Sequence, residues 1–320
     1  MAAAGLGAAA CGEKHVAGGA EDAGDAGDVQ LGNDVGSDAG NACAVVPPTT
    51  SWALWPMPDS LAASGGAKPS YDTSSAGVVG DRVTHLIWQR AVPDDTFTWE
   101  EATSYCACLN LGGYSDWRLP TRIELVSLAD VTRQSPAIDQ AAFPDTPSEW
   151  FWTSSPAADQ PGAVWYVAFF DGDTHHQDVE TPYRVRCVRA EAPKVLEPRT
   201  TVNADGTVAD NATGLTWQRA IEPTMMTWAD AGAYCAGLSN PASGAPPWRL
   251  PTPKELQTLI DETRVDPAID DVTFPGTGGD SFWAAPPLAG QDGFAWFVSF
   301  HAGVAYNSPI EQPHRIRCVR

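Results

Sequence analysis

A unit of about 120 residues occurs twice in this 320-residue chain, and that duplication limits the fold more than any other feature. "LIWQRA" (Leu86–Ala91) returns as "LTWQRA" (Leu215–Ala220), and "TWEEATSYCACL" (Thr98–Leu109) returns as "TWADAGAYCAGL" (Thr227–Leu238), both at an offset of 129. After a two-residue insertion the match resumes at an offset of 131, from "WRLPT" (Trp117–Thr121 and Trp248–Thr252) to the closing "RVRCVR" and "RIRCVR". A repeat of this length is a domain rather than a solenoid module, which would recur every 20–50 residues. The boundaries expected are a first copy over 70–189, a joint over 190–198 ("AEAPKVLEP" after Arg189) and a second copy over 199–320.

Each copy has the same local grammar. "TVADNATGLTWQR" (Thr207–Arg219) alternates about a turn and reads as a β-hairpin. In the first copy Arg82 and His85 stand where the second has Asn211 and Gly214, so a looser turn is expected there. Thr98 with Glu101 has capping-box spacing and opens a helix; Thr227 with Asp230 is a weaker form of it. Trp99, Ala102, Cys106 and Leu109 then share a face, as do Trp228, Ala231, Cys235 and Leu238. In "LPTRIEL" and "LPTPKEL" a second Thr precedes a Glu by three, with Pro253 at a position where its missing N–H costs nothing. Leu125, Val126 and Leu128 supply the buried face of that short helix, as Leu256, Leu259 and Ile260 do in the second copy. "FWTSS", "VWYVAFF" and "YRVRCVR", with their counterparts, read as short strands. Two helices followed by an antiparallel meander give an α+β domain.

Cys106 and Cys187 occupy the same places in the first copy as Cys235 and Cys318 in the second, which makes them two equivalent pairs joining first helix to last strand. Closing a loop of roughly 80 residues contributes about 4–5 kcal/mol in the chain-entropy model. Cys43 and Cys108 are left over; Cys108 sits two positions from Cys106 on another helical face, free to meet Cys43. Six paired cysteines point to an oxidising compartment. The alternative is buried thiols in a reducing one; zinc would need a second ligand pair at finger spacing, which the sequence lacks.

The chain carries 40 acidic against 19 basic residues, and both copies are net negative. Such a field opposes nucleic acid and polyanionic glycans. The start, "MAAAGLGAAACGEK", resembles a bacterial lipoprotein signal over residues 1–11 whose Cys11 would be acylated; a chance Ala-rich tail is the alternative. Residues 12–42, mostly Gly, Ala and Asp, are expected to be a disordered acidic tether, and 43–69 a lead-in segment. Nothing reaches the ~20 apolar residues of a membrane span, so a membrane contact would run through the lipid alone.

Taken together, TV.DN.TGL.WQ, W..A..YC..L, WRLPT..EL, FW and the terminal RCVR resemble the Lcl C-terminal domain family, over roughly 70–189 and 199–320. That family is similar to the C-type-lectin-like and formylglycine-generating-enzyme folds. The resemblance implies two tandem C-type-lectin-like domains, each with two helices, a twisted antiparallel sheet and a helix-to-last-strand disulfide. It also implies surface display and glycan binding or adhesion. The calcium-binding triplets of lectins are missing: "EPT" at Glu222 lies before the first helix of its copy, where no such triplet belongs. A copper or iron oxidase of the related fold would need the C-terminal cysteines or recurring histidines, and no His recurs between the copies.

"FFDGDTHHQDVE" gathers Asp171, Asp173, His175, His176 and Asp178, candidates for a divalent cation, though the spacing fits no standard loop and a solvated strand-turn-strand tip is expected. Trp217, Trp228, Trp248, Trp283 and Trp296 all have partners in the first copy and read as framework; Trp150, whose partner is Ser281, is the candidate exposed aromatic for ligand stacking. No nucleophile–His–carboxylate pattern and no phosphate loop are present. The expectation is a non-enzymatic, cofactor-free binding or adhesion module of the bacterial cell envelope. Its partner would be a glycan or envelope protein, held on the loops between second helix and last strand. An oxidase of the related fold and a structural spacer are the alternatives.

Overall fold

The computed structural model describes residues 43–46, 53–61, 67–190, 198–239, 242 and 244–320. The signal, Cys11, the acidic tether and most of the joint fall outside them. Two compact units result: Met1–Cys43, of which only Cys43 is described, and Ala44–Arg320. Both copies of the repeat lie in the second.

The first copy runs β1 (Tyr71–Asp72), β2 (Val78–Asp81), β3 (Leu86–Gln89), α1 (Trp99–Ala107), α2 (Arg122–Leu128), β4 (Trp150–Pro156), β5 (Ala163–Ala168), β6 (Thr174–Asp178) and β7 (Val188–Ala190). The second runs β8 (Thr200–Val202), β9 (Thr207–Asp210), β10 (Thr216–Gln218), α3 (Trp228–Gly237), α4 (Pro253–Gln257), β11 (Ser281–Pro287), β12 (Phe294–Ser299) and β13 (Ala305–Pro309). The class is α+β, as expected. In place of a counterpart to β7, Trp217 and Arg249 each bridge to Val319.

Both hairpins close alike, against expectation. His85 N–H donates to the Asp81 carbonyl at 2.9 Å and Gly214 N–H to that of Asp210 at 2.8 Å. Asp81 Oδ1 accepts from the Val83 and Thr84 amides, as Asp210 Oδ1 does from Ala212 and Thr213. This aspartate cradle fixes the turn, and His85 takes the left-handed φ of 60° that Gly214 takes at 76°.

The recurring "WRLPT" is a closed device. Trp117 is fully buried and its indole N–H donates to Leu111 and Tyr114 carbonyls. Arg118 grips Glu124 through both nitrogens at 2.8 and 2.7 Å, while Glu124 also accepts from the Thr121 amide it caps. Arg249 and Glu255 repeat this at 2.8 and 2.7 Å. One carboxylate thus neutralises a guanidinium and caps a helix. The Gln of "WQ" is equally economical: Gln89 donates to the Tyr105 hydroxyl and accepts from Cys187 N–H, tying α1 to the last strand beside the disulfide.

The meanders do not stay apart. They join in one six-stranded antiparallel sheet, ordered β11-β12-β13-β6-β5-β4, with Ala305 opposite Thr174 at the seam. The "FFDGDTHHQDVE" stretch is the expected strand-turn-strand, with His175, Gln177 and Asp178 exposed, but its base at the seam is buried. Thr174 is fully buried; its hydroxyl accepts from Ala305 N–H at 3.1 Å and donates to Gln257 Oε1 at 3.3 Å. The short second helices were expected to bury one face, and instead every residue of α2 and α4 is buried, since they meet each other beneath the seam. Here the copies differ. Arg122 reaches from the first copy to Glu262 (2.8 Å) and the Gly303 carbonyl (2.7 Å) of the second, and stacks 4.7 Å over Trp165. From the second copy Lys254 Nζ donates to Pro58 and Ser127 carbonyls at 2.7 and 3.0 Å. Their counterparts, Pro253 and Ile123, could do neither.

Strand alternation divides the core. Phe151 and Val167 pack with α2, and Phe282 and Val298 with α4, on one face. Trp152 and Val164 pack with α1, and Trp283 and Ala295 with α3, on the other.

Candidate ligand-binding face

The face on which α1 and α3 sit is not covered along its whole length. Pairing puts Tyr166 beside His175 and Phe297 beside Tyr306 on that face, with β6 and β13 adjoining at the seam. Tyr183 and His314, equivalent residues that follow β6 and β13, lay their rings against it. Tyr183 contacts Trp150, Trp152 and Tyr166 at centroid distances of 5.6, 4.8 and 5.2 Å. Tyr166 stacks on His175 at 6.3 Å. Across the seam Phe297 meets Tyr306 at 6.5 Å and His314 at 5.1 Å. Trp150 at 49 % and Tyr306 at 48 % are half exposed, whereas Trp88, Trp117, Trp152, Trp165, Trp217, Trp283 and Trp296 are at most 1 % exposed. The framework reading of the recurring tryptophans therefore holds for those seven. Trp152 and Trp283 use their indole N–H to hold the Phe97 and Met226 carbonyls.

Polar groups punctuate the aromatics. Asp173, one residue before the seam, has a buried Oδ1 with no hydrogen-bond partner. Burial, then the neighbouring Asp171 charge, pushes its carboxyl up to about 7. Tyr166 is raised by burial and then by the fields of Asp173, Tyr183 and Tyr306, which places these groups together. Burial lowers His314, whose Nε2 also lacks a partner.

The five cation candidates stay in small groups that do not converge. His175 and His176 have ring centroids 4.9 Å apart, but His176 turns to Asp159 (3.2 Å) and the edge of Trp165. Asp171 Oδ1 accepts from Asp173 N–H, and Asp178 Oδ1 from Glu180 N–H. Among the described residues no three His, Cys, Asp or Glu side chains converge as metal ligands. Trp150 is where the sequence comparison pointed, but on a strand rather than a loop. Tyr166, Tyr183, His175 and Tyr306 as stacking groups were missed, although the same signal was available: like Trp150, each differs from its counterpart, which is Phe297, His314, Tyr306 and His175 respectively.

Cys106–Cys187 and Cys235–Cys318 are disulfides with S–S distances of 2.07 and 1.99 Å. Cys43 and Cys108 are disulfide-bonded as well, so no described cysteine offers a thiolate. These are the crosslinks of an extracytoplasmic protein. No helix among the described residues is long and apolar enough to cross a membrane. A polar cavity of about 250 Å³ opens where Lys68, Tyr71, Asp130 and Arg133 meet Lys254 of the second copy. Its residues come from segments too far apart in sequence to be read as one site.

The model of the Lcl C-terminal domain matches the chain twice, over 77–189 and 206–320. No curated protein matches it.

Proposed function

The chain belongs to the Lcl C-terminal domain family, and from that premise we propose that it is a non-catalytic binding module of the cell envelope whose ligand lies on the aromatic strip of the shared sheet. The observation that carries this reading is the exposure of Trp150 and Tyr306 on one face of the shared sheet, each beside a cluster of partly buried rings. Solvent-facing aromatics bordered by hydroxyls, an imidazole and a carboxyl suit a ligand with both apolar faces and hydroxyl edges. The acidic balance of both copies disfavours sulfated or phosphorylated polymers. Calcium has no part, because the metal-ligand triplets of calcium lectins are missing. The test is binding of the full chain to a broad panel of glycans and purified envelope proteins, with and without chelator. Retention that survives chelation and falls at least tenfold in Trp150→Ala is expected; a panel without a ligand above background would end the proposal.

A further inference from the structure

Sheet continuity gives the strip a property that neither copy has alone. The strip consists of two ring clusters on one face, Trp150, Tyr183, Tyr166 and His175 in the first copy and Tyr306, Phe297 and His314 in the second, which the β6–β13 pairing sets side by side. It runs across the strands. Neighbouring strands lie about 4.8 Å apart, so the five strands that carry its residues, β4, β5, β6, β13 and β12, extend it over roughly 19 Å, the length of about four sugar rings end to end. The two ends also differ: Trp150 faces its counterpart position Ser281, Tyr183 its counterpart His314, and Asp173 its counterpart Val304. Two identical half-sites are therefore absent, and a ligand lying along the row would meet a different group at each end.

Resting on the binding-module reading, we propose that the strip takes one linear, uncharged glycan per chain, laid across the seam in a single direction and contacted by both copies. The occupant follows from the chemistry of the row. The groups along the strip are ring faces alternating with hydroxyl and imidazole groups, which fits a polymer whose rings each offer an apolar face and a hydroxyl edge. The excess of acidic residues turns away anionic chains. Length matters because no single copy holds more than part of the row.

The experiment is calorimetric titration of the full chain with three uncharged series, β-1,4-glucose, β-1,4-N-acetylglucosamine and α-1,4-glucose oligomers of increasing length. At least one series should bind with one site per chain, its affinity climbing at least tenfold between the shortest member and one long enough to span the seam. Trp150→Ala and Tyr306→Ala, both at half-exposed positions and each verified as folded by circular dichroism, should each erase that gain. Two sites per chain, or an affinity that levels off at the shortest member, would overturn the spanning inference while leaving the binding face intact. If only sulfated or phosphorylated glycans bind, or only a protein competes for Trp150, the choice of an uncharged glycan is wrong. No binding by any of them overturns the binding face too.

Discussion

Asp173 departs strongly from the chemistry of an ordinary carboxylate. Its carboxyl, pushed to about 7 by burial and by Asp171, keeps a proton across a pH range in which the unfolded chain, with a carboxyl near its ordinary value, has lost it. The folded state binds more protons there, so the stability that this group contributes is fully present below about pH 4, falls as pH rises toward 7 and levels off above. Asp173→Asn removes the ionisation while keeping the shape. Its melting temperature should match the parent at pH 4 and exceed it at pH 8, by a margin on the order of 1–3 kcal/mol in stability. Equal margins at both pH values would show that the carboxyl titrates normally. Nothing in "DGDTH" announces this behaviour, since the burial comes from a strand pairing made 131 residues away. His85 marks the same limit from the other side. Read beside Gly214 it suggests a looser turn, yet Asp81 supplies hydrogen bonds that hold it in the glycine conformation.

Elements set by local chemistry were legible; elements set by distant pairing were not. The capping box at Thr98 and Glu101 is complete, and those at Thr121 with Glu124 and Thr252 with Glu255 likewise. At α3 the Thr227 hydroxyl meets Asp230, but no bond returns to the Thr227 amide, because aspartate is one methylene short. Asp230→Glu should supply that bond and stabilise the chain by about 0.5–1 kcal/mol, read as a higher urea midpoint at unchanged slope. By contrast, β6 has a polar sequence that resembles a turn, and only Thr174, wedged between Ala305 and Gln257, makes it an interior strand. The binding strip was half legible for the same reason. Comparing the copies singles out Trp150, but which other rings adjoin it depends on the order of strands in a sheet built from both copies.

At the scale of the whole molecule the duplication has become an interdependence. Two copies that share a sheet, and whose second helices are buried against each other, cannot separate without exposing Arg122, which is 1 % exposed and paired to Glu262 at 5 %. Removing one member of such a pair leaves a desolvated charge, at a cost of about 3–5 kcal/mol, far more than the pair itself contributes. Glu262→Ala should therefore lower stability by that amount, and Arg122→Leu added to it should recover most of the loss, since the double variant strands no charge. Calorimetry separates this from a local defect. The parent should unfold in one transition whose calorimetric and van't Hoff enthalpies agree, because its core continues across the seam: Val131 of the first copy packs among Trp296, Leu288 and Phe300 of the second. In Glu262→Ala the seam is the weakest contact, and the single peak should divide in two. A parent that already melts in two steps would mean that the copies are separate bodies, and a ligand row running from one to the other would lose its rigid platform.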